Sequence, residues 1–186
     1  NPRIVVDYLA QHAGLLIPRE PGIFIFPHRS FQEFLAACHL LNQPESTQRL
    51  LKLVDEDLNW WREVYLLAVG RQKSTSLDNA VSLIGALKQD SVNDGQNFSD
   101  EDWHQAALAG EGLLEIRLMD DPETSKAYAG LIDRIRGWLT KLVAEGHLLP
   151  NARLAAGDIL GILGDFRKGV NVIIHEDVVL PDIDWV

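Results

Sequence analysis

Cysteine is nearly absent from this 186-residue chain, occurring once, at Cys38. A single thiol excludes an internal disulfide and any cysteine-based zinc site, which fits a reducing compartment. Long apolar runs are missing as well. None approaches the roughly 20 residues needed to span a bilayer, and the N-terminus lacks the charged-then-apolar pattern of a signal peptide. Basic residues are few, 17 against 27 acids, giving a formal charge of −10. They are scattered, and without clustered Lys and Arg there is no counterion-releasing surface for nucleic acid. There is no G-x-x-x-x-G-K-[ST] phosphate loop, so the chain holds no nucleotide site of its own. The expectation is a soluble cytoplasmic protein with no nucleic-acid or membrane partner.

What is present is a chain of 46% hydrophobic composition, enough to fill a core. Residues 3 to 13 place Ile4, Val5, Tyr8, Leu9 and His12 on one helical face. Two apolar runs follow, Leu15 to Ile17 and Ile23 to Phe26, and Pro-Arg-Glu-Pro-Gly between them predicts a β-hairpin. Ser30 with Glu33 three residues on reads as a capping box, opening a helix from Phe31 to Leu41 whose buried stripe would be Phe31, Phe34, Leu35, Cys38 and Leu41. Beyond Pro44 the periodicity predicts helices over 46–54, 58–70, 76–89, 100–118, 124–145 and 151–164, with caps at Ser99 and Asp121 and a clear loop at 88–100. "WREVYLLAVG" at Trp61 and "WHQAALAGEG" at Trp103 match at an offset of 42, and "AGEGLLEI" at Ala109 and "AGDILGIL" at Ala156 at an offset of 47. Such periods, with two helices per unit, fall in the range of HEAT-like solenoids; a helical bundle is the alternative. Residues 169 to 186 are expected to be a mostly irregular linker, with one short strand or a last helix at most, and with Glu176, Asp177, Asp182 and Asp184 solvated. Asn1-Pro2 and Trp185-Val186 are expected to lie within a longer polypeptide.

Candidate chemistry is sparse. The six histidines never form an H-x-x-x-H or H-E-x-x-H pair, so no metal site is predicted. Cys38 and His39 are adjacent on a helix, point about 100° apart and cannot act as a dyad, which leaves Cys38 as a small core residue. The acidic runs Asp55-Glu56-Asp57 and Asp120-Asp121 read as caps and solvated turns. Trp60 and Trp61 should divide between groove and core, and Trp103 and Trp138 should pack between helices. No catalytic residue is predicted. His28 stands apart, because it lies between a strand end and a helix start, where a side chain either finishes a turn or projects at a partner.

"FPHRSFQEFLAACHL", residues 26 to 40, resembles the winged-helix segment of NACHT-type STAND nucleoside triphosphatases, a class that includes animal NOD-like receptors and many bacterial signalling and defence proteins. Phe26, His28, Phe31, Gln32, Glu33, Phe34, Ala36 and Ala37 carry the likeness. The resemblance implies a mainly α fold: 1–43 the end of a winged-helix domain with its short β-hairpin, 44–168 a HEAT-like helical repeat domain, and 169–186 a linker toward a further domain. "LPDIDWV", residues 180 to 186, resembles the lead-in to a formylglycine-generating-enzyme-like or C-type-lectin-like domain. It implies that His28 binds an ADP phosphate held by an upstream ATPase core, which would also hold Mg, while these residues carry no cofactor themselves. Implied partners are that ATPase domain, a downstream sensor domain and a protein ligand, with oligomerisation of the parent on activation. The function implied is non-catalytic coupling of sensing to nucleotide exchange. A free-standing α-solenoid scaffold for protein binding is the alternative.

Overall fold

In the computed structural model, residues 2–93, 95–167, 169–170, 172–175 and 178–181 are described. Helix α1 (Pro2–Gln11) leads into a hairpin of β1 (Ile17–Glu20) and β2 (Ile23–Ile25), and α2 (Arg29–Leu41) follows. The hairpin is antiparallel, pairing Ile17 with Ile25 and Pro18 with Phe24, and an irregularity after Pro18 lets Glu20 oppose Ile23. Its turn is therefore tighter than the five-residue segment read from the sequence. Pro18 to Glu20 belong to the strand, and the chain reverses at Pro21-Gly22, where Gly22 takes φ 81°, a conformation that favours glycine.

The remaining helices are α3 (Ser46–Glu56), α4 (Leu58–Lys73), α5 (Leu77–Leu87), α6 (Asp100–Glu115), α7 (Pro122–Ala127), α8 (Ala129–Glu145) and α9 (Pro150–Leu163). Three of them, α4, α6 and α7, start at a short polar capping side chain. Asp57 accepts the Trp60 N–H at 3.0 Å to begin α4. Ser99 and Asp102 form a reciprocal capping box on α6, and Asp121 accepts the Thr124 N–H at 2.9 Å ahead of Pro122. The single helix expected over 124–145 is divided at Tyr128, where φ −110° and ψ 21° interrupt the spiral. The Tyr128 hydroxyl donates to Asp78 of α5, a tertiary contact that local periodicity does not encode.

Two expectations about α2 are corrected. The Ser30–Glu33 capping box does not form; the helix begins at Arg29 with His28 as its N-cap residue, and Glu33 accepts from Arg29 Nε at 2.7 Å. A charge-assisted bond to Arg29 competes well against a neutral cap. The face turned inward also differs. Ala37 is fully buried, with Ala36, Leu40 and Leu41 against the core, whereas Phe31, Phe34 and Leu35 remain 38, 43 and 46% exposed and Cys38 is half-buried. Both faces of α2 are apolar, so the pattern is ambiguous. The small alanine lets α2 approach α4 closely, and packing selects that side.

From α2 onward, each main helix packs on its successor and on the next but one: α2 on α3 and α4, α3 on α5, α4 on α5 and α6, α6 on α8 and α9. Gly85 of α5 lies against Leu131 and Arg134 of α8, and short α7 sits beside α8. Alternate helices thus form two rows, α2, α4, α6 and α9 in one and α3, α5 and α8 in the other. The segments that match at offsets of 42 and 47 lie on α4, α6 and α9, all in the first row. Small residues set the spacing: a Cβ on Gly110 would stand 2.8 Å from Ile159 Cγ2, and one on Gly112 3.0 Å from Ile84 Cγ1. Between the rows lies a continuous core including Tyr65, Trp103, Leu113, Ile135 and Trp138.

The described part of the C-terminal segment is largely strand rather than irregular. Strands β3 (Val172–His175) and β4 (Val178–Pro181) pair antiparallel, with Val172 opposite Pro181 and His175 opposite Val178. Two β-branched runs close enough in sequence to pair with each other supply the partner strand that the sequence reading missed. Residues 176–177 and 182–186, with the acids assigned to a linker and most of "LPDIDWV", lie outside the described residues.

Candidate functional site

His28 occupies the position that ends β2 and opens α2. Its backbone is extended, with φ −128° and ψ 134°, and its carbonyl accepts the Phe31 N–H at 3.2 Å. The imidazole makes no capping hydrogen bond. It is exposed and, among the described residues, its ring contact is with Phe31, edge to face with centroids 5.8 Å apart. The turn is finished by the backbone of His28, and both ring nitrogens remain available to a partner. The neighbouring cation is committed elsewhere: Arg29 bonds Glu33 and lies over the Trp60 ring, 4.7 Å from its centroid.

The elements before and after His28 in the chain carry exposed apolar side chains. Phe31, Phe34 and Leu35 of α2, Ile17, Ile23 and Ile25 of the hairpin, and Ile4, Val5 and Tyr8 of α1 are all exposed, the α1 residues by 57 to 67%. On α2 these exposed residues fall on one helical face, at positions 31, 34 and 35.

The other sequence candidates fall into structural roles. Asp57 and Asp121 are caps, and Asp55 accepts from Gln105 Nε2 at 2.6 Å, tying α3 to α6. Thr124 donates backbone and side-chain hydrogen bonds to Asp121, holding its carboxyl below the usual range. His39 lies near Gln43 rather than Cys38. Trp61 packs against the core while Trp60 is 56% exposed, the expected division. Among the described residues, no group of three or more His, Cys, Asp or Glu side chains comes together, and no helix is long and apolar enough to cross a membrane.

One cluster escaped sequence reasoning. Lys88, at the end of α5, is buried, and its ammonium bonds Asp102 Oδ1 at 2.5 Å while lying 4.4 Å from the centroid of the Trp138 ring. Burial pushes the Asp102 carboxyl up, but hydrogen bonds from Lys88 and Ser99 outweigh it and hold the group below its ordinary value. Phe98, Trp103 and Trp138 pack edge to face, with centroids 4.5 to 5.4 Å apart, and His147 stacks on Trp103 at 4.2 Å. These residues come from a loop, α6, α8 and the turn after it, so no local spacing brings them together. Comparison of the chain with protein-family models, with curated proteins and with solved structures gave no match.

Proposed function

We propose that this chain is a non-catalytic regulatory and sensor-coupling segment of a NACHT-type STAND signalling ATPase. The observation that carries the reading is His28: an exposed side chain with no capping duty, just ahead of the exposed Phe31, Phe34 and Leu35 of α2 and inside the stretch whose residues resemble the winged-helix motif. In this reading an upstream ATPase core, with its ADP or ATP and Mg, covers the face formed by α1, the first hairpin and α2. The His28 imidazole then donates to an ADP phosphate and favours the closed, inactive state. The helix stack forms the relay, because it joins that face to the C-terminal hairpin and to a sensor domain beyond it. Ligand binding there would shift the balance toward nucleotide exchange and assembly.

The test uses a polypeptide in which this chain follows its ATPase module. His28→Ala is expected to speed ADP release by about 10- to 100-fold, the scale of one charge-assisted hydrogen bond, and to raise basal activity. Unchanged ADP retention overturns the role of His28. An open reading frame with no phosphate loop upstream overturns the family reading itself.

A further inference from the structure

The loop between α5 and α6 borders a cavity of about 740 Å³ that lies away from His28, within the size range of small-molecule sites. Unlike most such sites it has a largely polar lining, and four carboxamides dominate it: Gln89, Asn93, Gln96 and Asn97. All four are exposed, and among the described residues none has a hydrogen-bond partner for its side-chain amide. Each amide offers two donors and an acceptor, which suits hydroxyl groups that must donate and accept at once.

Charge narrows the ligand further. Lys88 is the cation of the lining and is already neutralised by Asp102, while Asp90 adds a second carboxylate. The lining therefore repels phosphates and carboxylates. Phe98, half-buried, contributes an apolar edge against which ring C–H groups can rest, and Trp138 backs it from within the core. The loop is also held in place: Trp138 Nε1 donates to the Asp90 carbonyl at 2.8 Å, and Lys141 Nζ donates to the Asn93 carbonyl at 3.2 Å. Anchored backbone at two points lowers the ordering cost of binding.

We propose that this cavity binds a small uncharged polyhydroxyl ligand of mono- or disaccharide size, held by the loop carboxamides. The inference stands apart from the winged-helix reading, since it uses none of residues 1 to 43.

The test is ligand-observed saturation-transfer NMR on the intact chain with maltose and N,N′-diacetylchitobiose as probes and inorganic phosphate as the anionic control. At least one disaccharide is expected to bind with a Kd of about 0.1 to 5 mM, with the indole N–H of Trp138 shifting in step. The double variant Gln96→Ala/Asn97→Ala, and separately Gln89→Ala, should each weaken it by about 10-fold or more while circular dichroism shows unchanged helix content. Three results would overturn the proposal: no binding of either disaccharide up to about 10 mM, equal binding by the variants, or displacement of the disaccharide by phosphate.

Discussion

The helix stack and the segment made of α1, the first hairpin and the outer face of α2 carry comparable apolar side chains and place them oppositely. In the stack, Trp103, Trp138 and Leu113 are closed off by neighbours two helices away, whereas Phe31, Phe34, Ile4 and Tyr8 face outward. Apolar character alone therefore does not decide burial. A side chain is buried when the chain supplies a second layer over it, and among the described residues none on α1 or the first hairpin is buried. The difference separates residues that hold this fold together from residues left open at its surface.

Substitutions should split along the same line. Trp103→Ala removes the centre of the aromatic cluster and is expected to cost about 3 to 5 kcal/mol, read as a lowered urea midpoint. A loss no larger than that of an α2 surface variant would erase the distinction between the regions. The Lys88–Asp102 pair gives a smaller effect with a defined pH dependence. The folded-state pKa of Asp102 lies below its unfolded value, so its contribution is present above the ordinary carboxylate pKa and is lost as pH falls through the folded value. Stability should thus decline on acidification below about pH 4, and Lys88→Met should flatten that decline. A pH profile identical to that of the parent chain would show that the pair carries no linkage. The smallest change is expected from Phe34→Ser, within about 0.5 kcal/mol. A loss above about 2 kcal/mol would mean that the outer face of α2 is packed after all.

The helices of the stack were legible because Asp57, Ser99 and Asp121 announce their starts and because apolar spacing persists along each of them. The row arrangement was partly legible too, through the Trp61 and Trp103 segments and those at Ala109 and Ala156. What failed was anything decided between distant elements. The inward face of α2 depends on Ala37 meeting α4, the break at Tyr128 on Asp78, and the Lys88 cluster on residues brought from 88 to 147. His28 lies between these cases: its position between strand and helix was readable, but its freedom from capping follows from where the helix begins. The second hairpin was missed because neither of its strands shows a strong turn signal between them.

Packing of each helix on its next and next-but-one neighbours has a consequence for how the chain reaches its structure. Contacts close in sequence form quickly, so a ladder of this kind can nucleate at any adjacent helix pair and grow outward rather than wait for its ends to meet. Trp60 and Trp61 lie on α4, Trp103 and Trp138 on α6 and α8. In variants that keep only one of these pairs, tryptophan fluorescence could follow α4 and the α6–α8 layer separately, making the order of assembly a property that can be timed.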